Sequence, residues 1–196
     1  MKKLPNLGDD RQKGFCVHCG GLTETKDHAP SKAFLDLPYP PTRPTLPSCV
    51  TCNNGFSGDE EYVACFIECV IHGTTDPDAL CRDKVAKALR RNRSLRARID
   101  RARRAADTLG GGEIVSWCPE SQPFERVALK LARCHAAYEL NEPQLSEPDH
   151  LLVVPVQTLD ETQREHFETP PHTDVFPEVG SRTMQRLLII DDAYSE

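Results

Sequence analysis

Two pairs of cysteines with metal-ligand spacing lie near the start of the chain. Two residues separate the members of each pair, and the four cysteines are Cys16, Cys19, Cys49 and Cys52. Four thiolates supplied in this way form the closed tetrahedral set that is typical of a structural zinc ion. The segment between the pairs is longer than that of a compact zinc ribbon. The spacing therefore predicts structural zinc with a segment inserted between the two halves of the site.

Oxygen and imidazole side chains lie close to the cysteine pairs in the sequence. Asp27 and His28 fall in the insert, and Asn53 and Asn54 directly follow the second pair. If zinc joins the pairs, these residues come together. Aspartate and asparagine oxygens suit Mg²⁺ or Mn²⁺ better than a second zinc, which leaves His28 free to act as a base. A base beside such a metal is the equipment for hydrolysing a phosphodiester.

Four segments resemble, in order, the motifs of the HNH endonucleases: CVHC, DHAP, LPSCVTCNN and SGDEEY. Members of this family have a ββα-metal fold that is often held by a four-cysteine zinc site. The likeness covers residues 16–71 and departs from the family in two places. The stretch before the second cysteine pair has no asparagine, and Gly55 and Phe56 replace a common lysine.

The resemblance implies a role for each matching residue. Asp27 and Asn53, or Asn54 in its place, would hold a catalytic Mg²⁺ or Mn²⁺, and His28 would activate water. DNA would be the substrate rather than RNA, and the chain would act as a homodimer or with a partner protein, as in phage-defence or restriction complexes. The alternative is a catalytically weak zinc module that binds nucleic acid or a protein.

The elements that must position these residues predict an α+β protein. We expect a zinc-stabilised ββα-metal core in residues 1–78, a long basic helix in 79–112 and a small acidic mixed α/β portion in 113–196. Within the core, we expect a strand at Thr45–Leu46 and a helix from Ser57, where Ser57 and Glu60 form a capping box. Apolar patterns further predict strands at 113–117, 150–157 and 186–191, and a helix over 123–140.

The net charge of −6 hides an uneven distribution. Between Arg82 and Arg104 the chain has eleven basic residues and only two acids, whereas the last third is strongly acidic. Local positive charge favours phosphate binding. Alternatives are a solvated helix face and a contact with the acidic region or a partner protein. The predicted nucleic-acid contacts are Arg90, Arg91, Arg93, Arg96, Arg98, Arg101, Arg103 and Arg104.

Other features allow simpler interpretations. Asp27 and His28 could lie in a solvated loop, Asn53 could cap a turn or the following helix, and the acids at 59–61 could favour a helix dipole. No apolar run has the length of a membrane span and no signal peptide is evident, so we expect a cytoplasmic protein. In that reducing compartment the cysteines outside the two pairs are expected to be buried free thiols.

Overall fold

The computed structural model of this protein describes residues 13–40, 43–107, 113–139, 141–168, 189–190 and 194–195. It divides into two compact units, residues 1–151 and 152–196. Helices and small antiparallel sheets both occur, so the predicted mixed α and β composition is confirmed. No helix in the described ranges is long and apolar enough to cross a membrane.

The first unit begins with a β-hairpin followed by a long helix. Strand β1 (Thr25–His28) pairs antiparallel with β2 (Thr45–Ser48), so that Asp27 lies opposite Leu46 and His28 opposite Thr45. Helix α1 (Val50–His72) starts two residues after β2. The predicted strand at Thr45–Leu46 is confirmed, and the hairpin places the ends of the proline-rich insert side by side.

Helix α1 begins seven residues earlier than the sequence predicts. Cys49 is its N-cap, and the Cys49 Sγ atom accepts the backbone N–H of Cys52 at 3.3 Å. The capping box at Ser57 was therefore wrong, and the Ser57 hydroxyl instead donates to the carbonyl oxygen of Asn54 at 2.7 Å. As a result, Asn53 and Asn54 lie in the first turns of a helix rather than in a loop.

The single long basic helix predicted for residues 79–112 was also wrong. The structure has α2 (Asp83–Arg91), α3 (Arg93–Asp100) and then β3 (Arg103–Asp107), which pairs antiparallel with β4 (Glu113–Trp117). Asn92 separates the two helices, because its side chain accepts the backbone N–H of Leu95 at 3.0 Å and so starts a new helix. The predicted strand at 113–117 is confirmed.

Helix α4 (Ser121–Glu139) completes the core of the first unit by packing against α1. This confirms the predicted helix, although Ala132, which the apolar spacing of residues 123–140 would turn inward, is exposed. On α1 the apolar spacing of residues 63–71 predicts five inward-facing side chains, but three of them, Ile67, Val70 and Ile71, are exposed. The buried core of these helices includes Tyr62, Val63, Phe66, Leu89, Leu95, Ile99 and Val127.

The described residues of the second unit form only short elements. It contains a 3₁₀ turn (Val156–Thr158), helix α5 (Glu161–Glu168) and a short hairpin of β5 (Ile189–Ile190) and β6 (Tyr194–Ser195). The strand predicted at 150–157 was wrong, and α5 was not predicted. Of the strand predicted at 186–191, residues 189–190 are a strand, and the other positions lie outside the described residues.

Candidate functional site

The four paired cysteines converge as their spacing predicts. Their sulfur atoms all lie within 4.8 Å of one another, and the Sγ atoms of Cys19 and Cys49 are 3.8 Å apart. A tetrahedral zinc ion with Zn–S bonds of about 2.3 Å places its ligand sulfurs about 3.8 Å apart. The cluster therefore fits a structural metal ion such as zinc, and it joins the loop before β1 to the start of α1.

The cluster already favours a thiolate at one of its members. Burial acts to raise the pKa of Cys16, but hydrogen bonds with the backbone of Cys49, His18 and Cys19 outweigh it and lower the pKa to about 6. Burial and the neighbouring cysteines raise the pKa of Cys52. The lowered pKa favours the thiolate form of Cys16. A bound metal would have to displace the protons of the cysteines that remain thiols.

The start of α1 touches the strand that carries the predicted catalytic pair. The Asn53 Nδ2 group donates to Thr25 Oγ1 at 3.3 Å and to the carbonyl oxygen of Lys26 at 3.5 Å. These bonds leave Asn53 Oδ1 as the group able to ligate a metal. His28 is half-buried at the end of the same strand, whereas Asn54 is exposed. The structure therefore brings Asn53 beside β1, as a shared zinc frame would require.

Asp27, by contrast, is buried, and both of its carboxylate oxygens have partners. It is 4% exposed, and its Oδ1 accepts the backbone N–H of His28 at 2.7 Å and the Lys130 ammonium at 2.9 Å. Its Oδ2 lies 3.0 Å from His18 Nε2. Burial acts to raise the pKa of Asp27, but the His18 hydrogen bond and the Lys130 charge outweigh it and lower the pKa.

This environment decides how well the site fits a divalent ion. The Lys130 ammonium already neutralises the carboxylate that would ligate Mg²⁺ or Mn²⁺, and both Asp27 oxygens have partners. The oxygen donors fit a divalent ion only once Asp27 has exchanged its bond to Lys130. Metal ligation by Asp27 therefore stays a prediction of the resemblance.

Lys130 links the hairpin to both long helices. It is 1% exposed on α4 and forms salt bridges with Asp27 and with Glu60 on α1. The second Glu60 oxygen accepts the Ser31 hydroxyl at 2.9 Å. Burial acts to lower the pKa of Lys130, but the two carboxylates outweigh it and raise the pKa. Glu60 is thus a buried ion-pair partner, and its predicted role in a helix cap was wrong.

Sequence reasoning missed Lys130, His18 and Ser31 as members of this network. One signal was present: Lys130 lies in the apolar stripe of α4, three residues after Val127 and four before Cys134, and a lysine there needs a buried partner. Nothing in the spacing identified that partner, because Glu60 is seventy residues away in the chain.

A second group of potential ligands lies in the same place. The donor atoms of His18, Asp27 and Cys134 are within 4.8 Å of one another, and all three residues are buried. Burial raises the pKa of Cys134, which favours the neutral thiol rather than the thiolate that binds metals. With Asp27 already paired to Lys130, this set is better explained as part of the buried polar network.

Half of the arginines predicted to contact nucleic acid are paired within the protein. Each of four has a carboxylate partner, and these pairs are Arg90–Asp78, Arg91–Glu61, Arg96–Asp76 and Arg98–Glu120. Arg98 also lies 4.3 Å from the centroid of the Tyr62 ring and so belongs to the edge of the core. Arg101 is close enough to Glu120 to affect its pKa, and Arg103 has interactions of its own. Within the described part of the chain, Arg93 and Arg104 have no carboxylate partner.

The cysteines outside the cluster divide into two groups. Cys65, Cys69 and Cys134 are buried free thiols, as predicted, and burial raises the pKa of Cys65 and Cys69 to about 12. Cys81 and Cys118 are exposed, so the prediction that they are buried was wrong. The exposed pair lies in the loops before α2 and after β4, where the backbone runs along the surface.

A scan against protein-family models and searches of curated proteins and of solved structures each found no match to this chain.

Proposed function

We propose that this protein is a metal-dependent HNH endonuclease that hydrolyses phosphodiester bonds, with DNA as its substrate. The observation that carries the proposal is a contact between two segments beside the four-cysteine cluster. Strand β1 ends in Asp27 and His28, and the first turn of α1 donates the Asn53 amide to that strand. The motif order and this contact together support a nuclease site at the end of the hairpin.

In this proposal each residue has a distinct role. The four thiolates would hold structural zinc, and Asn53 Oδ1 together with the Asp27 carboxylate, once it has exchanged Lys130, would hold Mg²⁺ or Mn²⁺. Such an ion, when bound, supplies positive charge that stabilises the phosphate and the leaving oxygen. His28 takes a proton from water, because its half-buried position at the strand end leaves the ring within reach of solvent. Asp27 also accepts the backbone N–H of His28 and so fixes the strand end.

One observation favours the alternative, a zinc module that binds nucleic acid without cutting it. The Asp27 carboxylate is paired with Lys130, so the protein supplies its own cation where the nuclease needs a metal. A binding module would keep this pair permanently, whereas a nuclease would have to break it when metal and substrate bind. The two functions therefore differ in their requirement for an added divalent ion.

The test is a plasmid cleavage assay on zinc-loaded protein freed of other metals by a chelating resin. Wild type, His28→Ala and the matched control His150→Ala, whose histidine is exposed in the structure, are compared with no added metal, Mg²⁺ or Mn²⁺. We expect cleavage only with an added ion, a loss of about a hundredfold or more in His28→Ala, and no loss in His150→Ala.

Circular dichroism and zinc content of each sample show whether the fold is retained. Cleavage that is equal in wild type and His28→Ala would overturn the role of His28. If folded wild-type protein binds DNA in a salt-dependent way but cuts nothing under any metal condition, the binding module is the better function.

A further inference from the structure

Arg43 is the most unusual charged residue of the first unit. Its side chain is 6% exposed, and its buried Nε and Nη1 groups have no hydrogen-bond acceptor among the described residues. Burial lowers the pKa of the guanidinium. A guanidinium is a strong donor that stays charged in proteins, so burying it without an anion is unfavourable. An anion from outside the chain would supply the missing hydrogen-bond acceptor and neutralise the charge.

Two lysines meet Arg43 at the same aromatic ring. The Arg43 Cζ atom lies 5.0 Å from the centroid of the Tyr39 ring, and the Nζ atoms of Lys84 and Lys32 lie 5.7 and 6.0 Å from it. Lys84 also donates to the carbonyl oxygen of Lys32. We refer to Lys32, Arg43 and Lys84 around Tyr39 as the Tyr39 cluster. Both lysines are exposed, so the cluster has a buried donor at its base and exposed charges at its rim.

No carboxylate among the described residues neutralises these three charges. Asp36, the acid nearest to Lys32 in the sequence, binds Arg82 at 2.8 Å, and Asp83 beside Lys84 binds Lys87 at 2.6 Å. The aromatic ring offsets part of the repulsion among the cations, but only a bound anion would supply both charge and acceptors.

Two residues of the cluster have their backbone near the strand end that carries the proposed catalytic base. Arg43 precedes Pro44, whose carbonyl oxygen accepts the backbone N–H of Ala29 at 3.2 Å, and Ala29 directly follows His28. Lys32 lies in the short 3₁₀ turn that starts four residues after His28. The chain therefore places Arg43 and Lys32 near the end of the hairpin where a nuclease would bring its substrate backbone, with Lys84 of α2 at the same ring, and none of the three has a carboxylate partner among the described residues.

We propose that the Tyr39 cluster is a phosphate-binding subsite that holds a backbone phosphate of the nucleic acid beside His28. The Arg43 guanidinium supplies fixed donors at the base of the subsite, and Lys32 and Lys84 close over the same group. This inference rests on the proposed function for the identity of the substrate, whereas the affinity of the subsite for a phosphate anion follows from its own geometry.

The first experiment measures thermal stability with inorganic phosphate against chloride at equal ionic strength. We expect phosphate to raise the Tm of wild type and of Lys87→Met, and to have little effect on Lys84→Met and Arg43→Met. Lys87 is the matched control, since it lies one turn along α2 and is paired with Asp83. In chloride, Arg43→Met should be at least as stable as wild type, because it removes a buried charge that has no partner.

The second experiment measures oligonucleotide binding by fluorescence anisotropy in a His28→Ala background, where cleavage cannot interfere. Adding Arg43→Met or Lys84→Met should weaken binding about tenfold and reduce the salt dependence by roughly one phosphate contact, whereas Lys87→Met should change neither. Lys84→Met, at an exposed position, keeps the test valid if Arg43→Met does not fold.

The outcomes separate this inference from the nuclease proposal. Equal phosphate stabilisation of wild type, Arg43→Met and Lys84→Met would overturn the subsite. Phosphate stabilisation that depends on the cluster, with unchanged oligonucleotide affinity, would assign a free phosphate anion and overturn the nucleic-acid assignment. If the protein cuts DNA and Arg43→Met cuts it with unchanged KM, the nuclease stands and the subsite fails.

Discussion

Lys130 and Arg43 are both buried cations of the first unit, but their surroundings are opposite. Lys130 has the carboxylates of Asp27 and Glu60 within salt-bridge distance, whereas Arg43 has the face of Tyr39 and two lysines. A buried cation paired with two carboxylates is neutralised within the protein and links the strand and helix that carry them. A buried cation that has an aromatic face and no carboxylate partner among the described residues is neutralised only when an anion binds. The contrast distinguishes a structural cation from a binding cation.

We expect the largest effect from a substitution in the four-cysteine cluster. The four-cysteine cluster fixes the hairpin to α1, so Cys49→Ser should lose bound zinc and the cooperative unfolding of the first unit. Structural zinc sites contribute on the order of 10 kcal/mol to folding in small domains. Zinc content by mass spectrometry and urea unfolding followed by circular dichroism give the measurement. Cys81→Ser, at an exposed cysteine outside the cluster, is the control and should behave as wild type.

The next largest effect is expected at Lys130, the structural cation. Lys130→Met leaves Asp27 and Glu60 buried without their positive partner, and we expect the free energy of unfolding to fall by about 3 to 5 kcal/mol. Lys87→Met removes an exposed pair and should cost about 1 kcal/mol or less. Urea unfolding measures both. Adding Glu60→Gln to Lys130→Met should recover part of the lost free energy of unfolding. If the double variant is instead destabilised by the sum of the two single effects, Glu60 is not coupled to Lys130.

At Arg43, the binding cation, we expect substitution not to lower the free energy of unfolding. We expect Arg43→Met in phosphate-free buffer to leave the free energy of unfolding unchanged or to raise it by about 1 kcal/mol, because no ion pair is broken. The same urea titration compares it with Lys130→Met. A loss as large as that of Lys130→Met would show that Arg43 has a structural partner, and the contrast between the two cations would disappear.

A smaller effect is a dependence of stability on pH through Asp27. The pKa of Asp27 in the folded protein is lowered from its usual value of 3.8, so folding favours its ionised form. Its contribution is present above pH 3.8 and is lost as the pH falls through the folded pKa. Urea unfolding of wild type and Asp27→Asn at several pH values should therefore show a difference that is constant near neutrality and shrinks in acid. A constant difference down to pH 2 would contradict this.

The smallest effects are expected on the exposed arginines. Arg90→Met removes a pair with Asp78 and should lower stability by less than about 1 kcal/mol, with little effect on oligonucleotide affinity. Arg104→Met, at an exposed position without a carboxylate partner in the described ranges, should weaken binding more than Arg90→Met does. Fluorescence anisotropy at two salt concentrations compares them. The reverse order would mean that ion pairing does not determine which arginines contact nucleic acid.

The parts of the fold that sequence could predict are those with local or repeated signals. The cysteine spacing predicted the cluster, and apolar patterns predicted β4 and α4. The break at Asn92 had a signal too, since asparagine is a common N-cap. The apolar residues on either side of Asn92 keep a helical spacing across it, however, and that spacing predicts a single helix. The start of α1 at Cys49 was missed because a thiol is an unusual cap.

The candidate site could be predicted only in part, because its decisive contacts are long-range. The motif brought Asp27, His28 and Asn53 into consideration, and the shared frame predicted that they meet. The pairing of Asp27 with a lysine on α4 and the burial of Arg43 without an acceptor depend on how distant segments pack. Local propensity carries no information on such packing, so neither cation was identified from the sequence.

The position of Lys130 also has a consequence for synthesis of the protein. Every residue of the hairpin and of α1 leaves the ribosome well before residue 130, yet Asp27 and Glu60 find their buried cation only on α4. During translation the proposed catalytic segment therefore exists for some time with two acids that must stay hydrated. A nascent chain in that state cannot close its core, so the activity of the proposed nuclease would begin only after α4 has emerged.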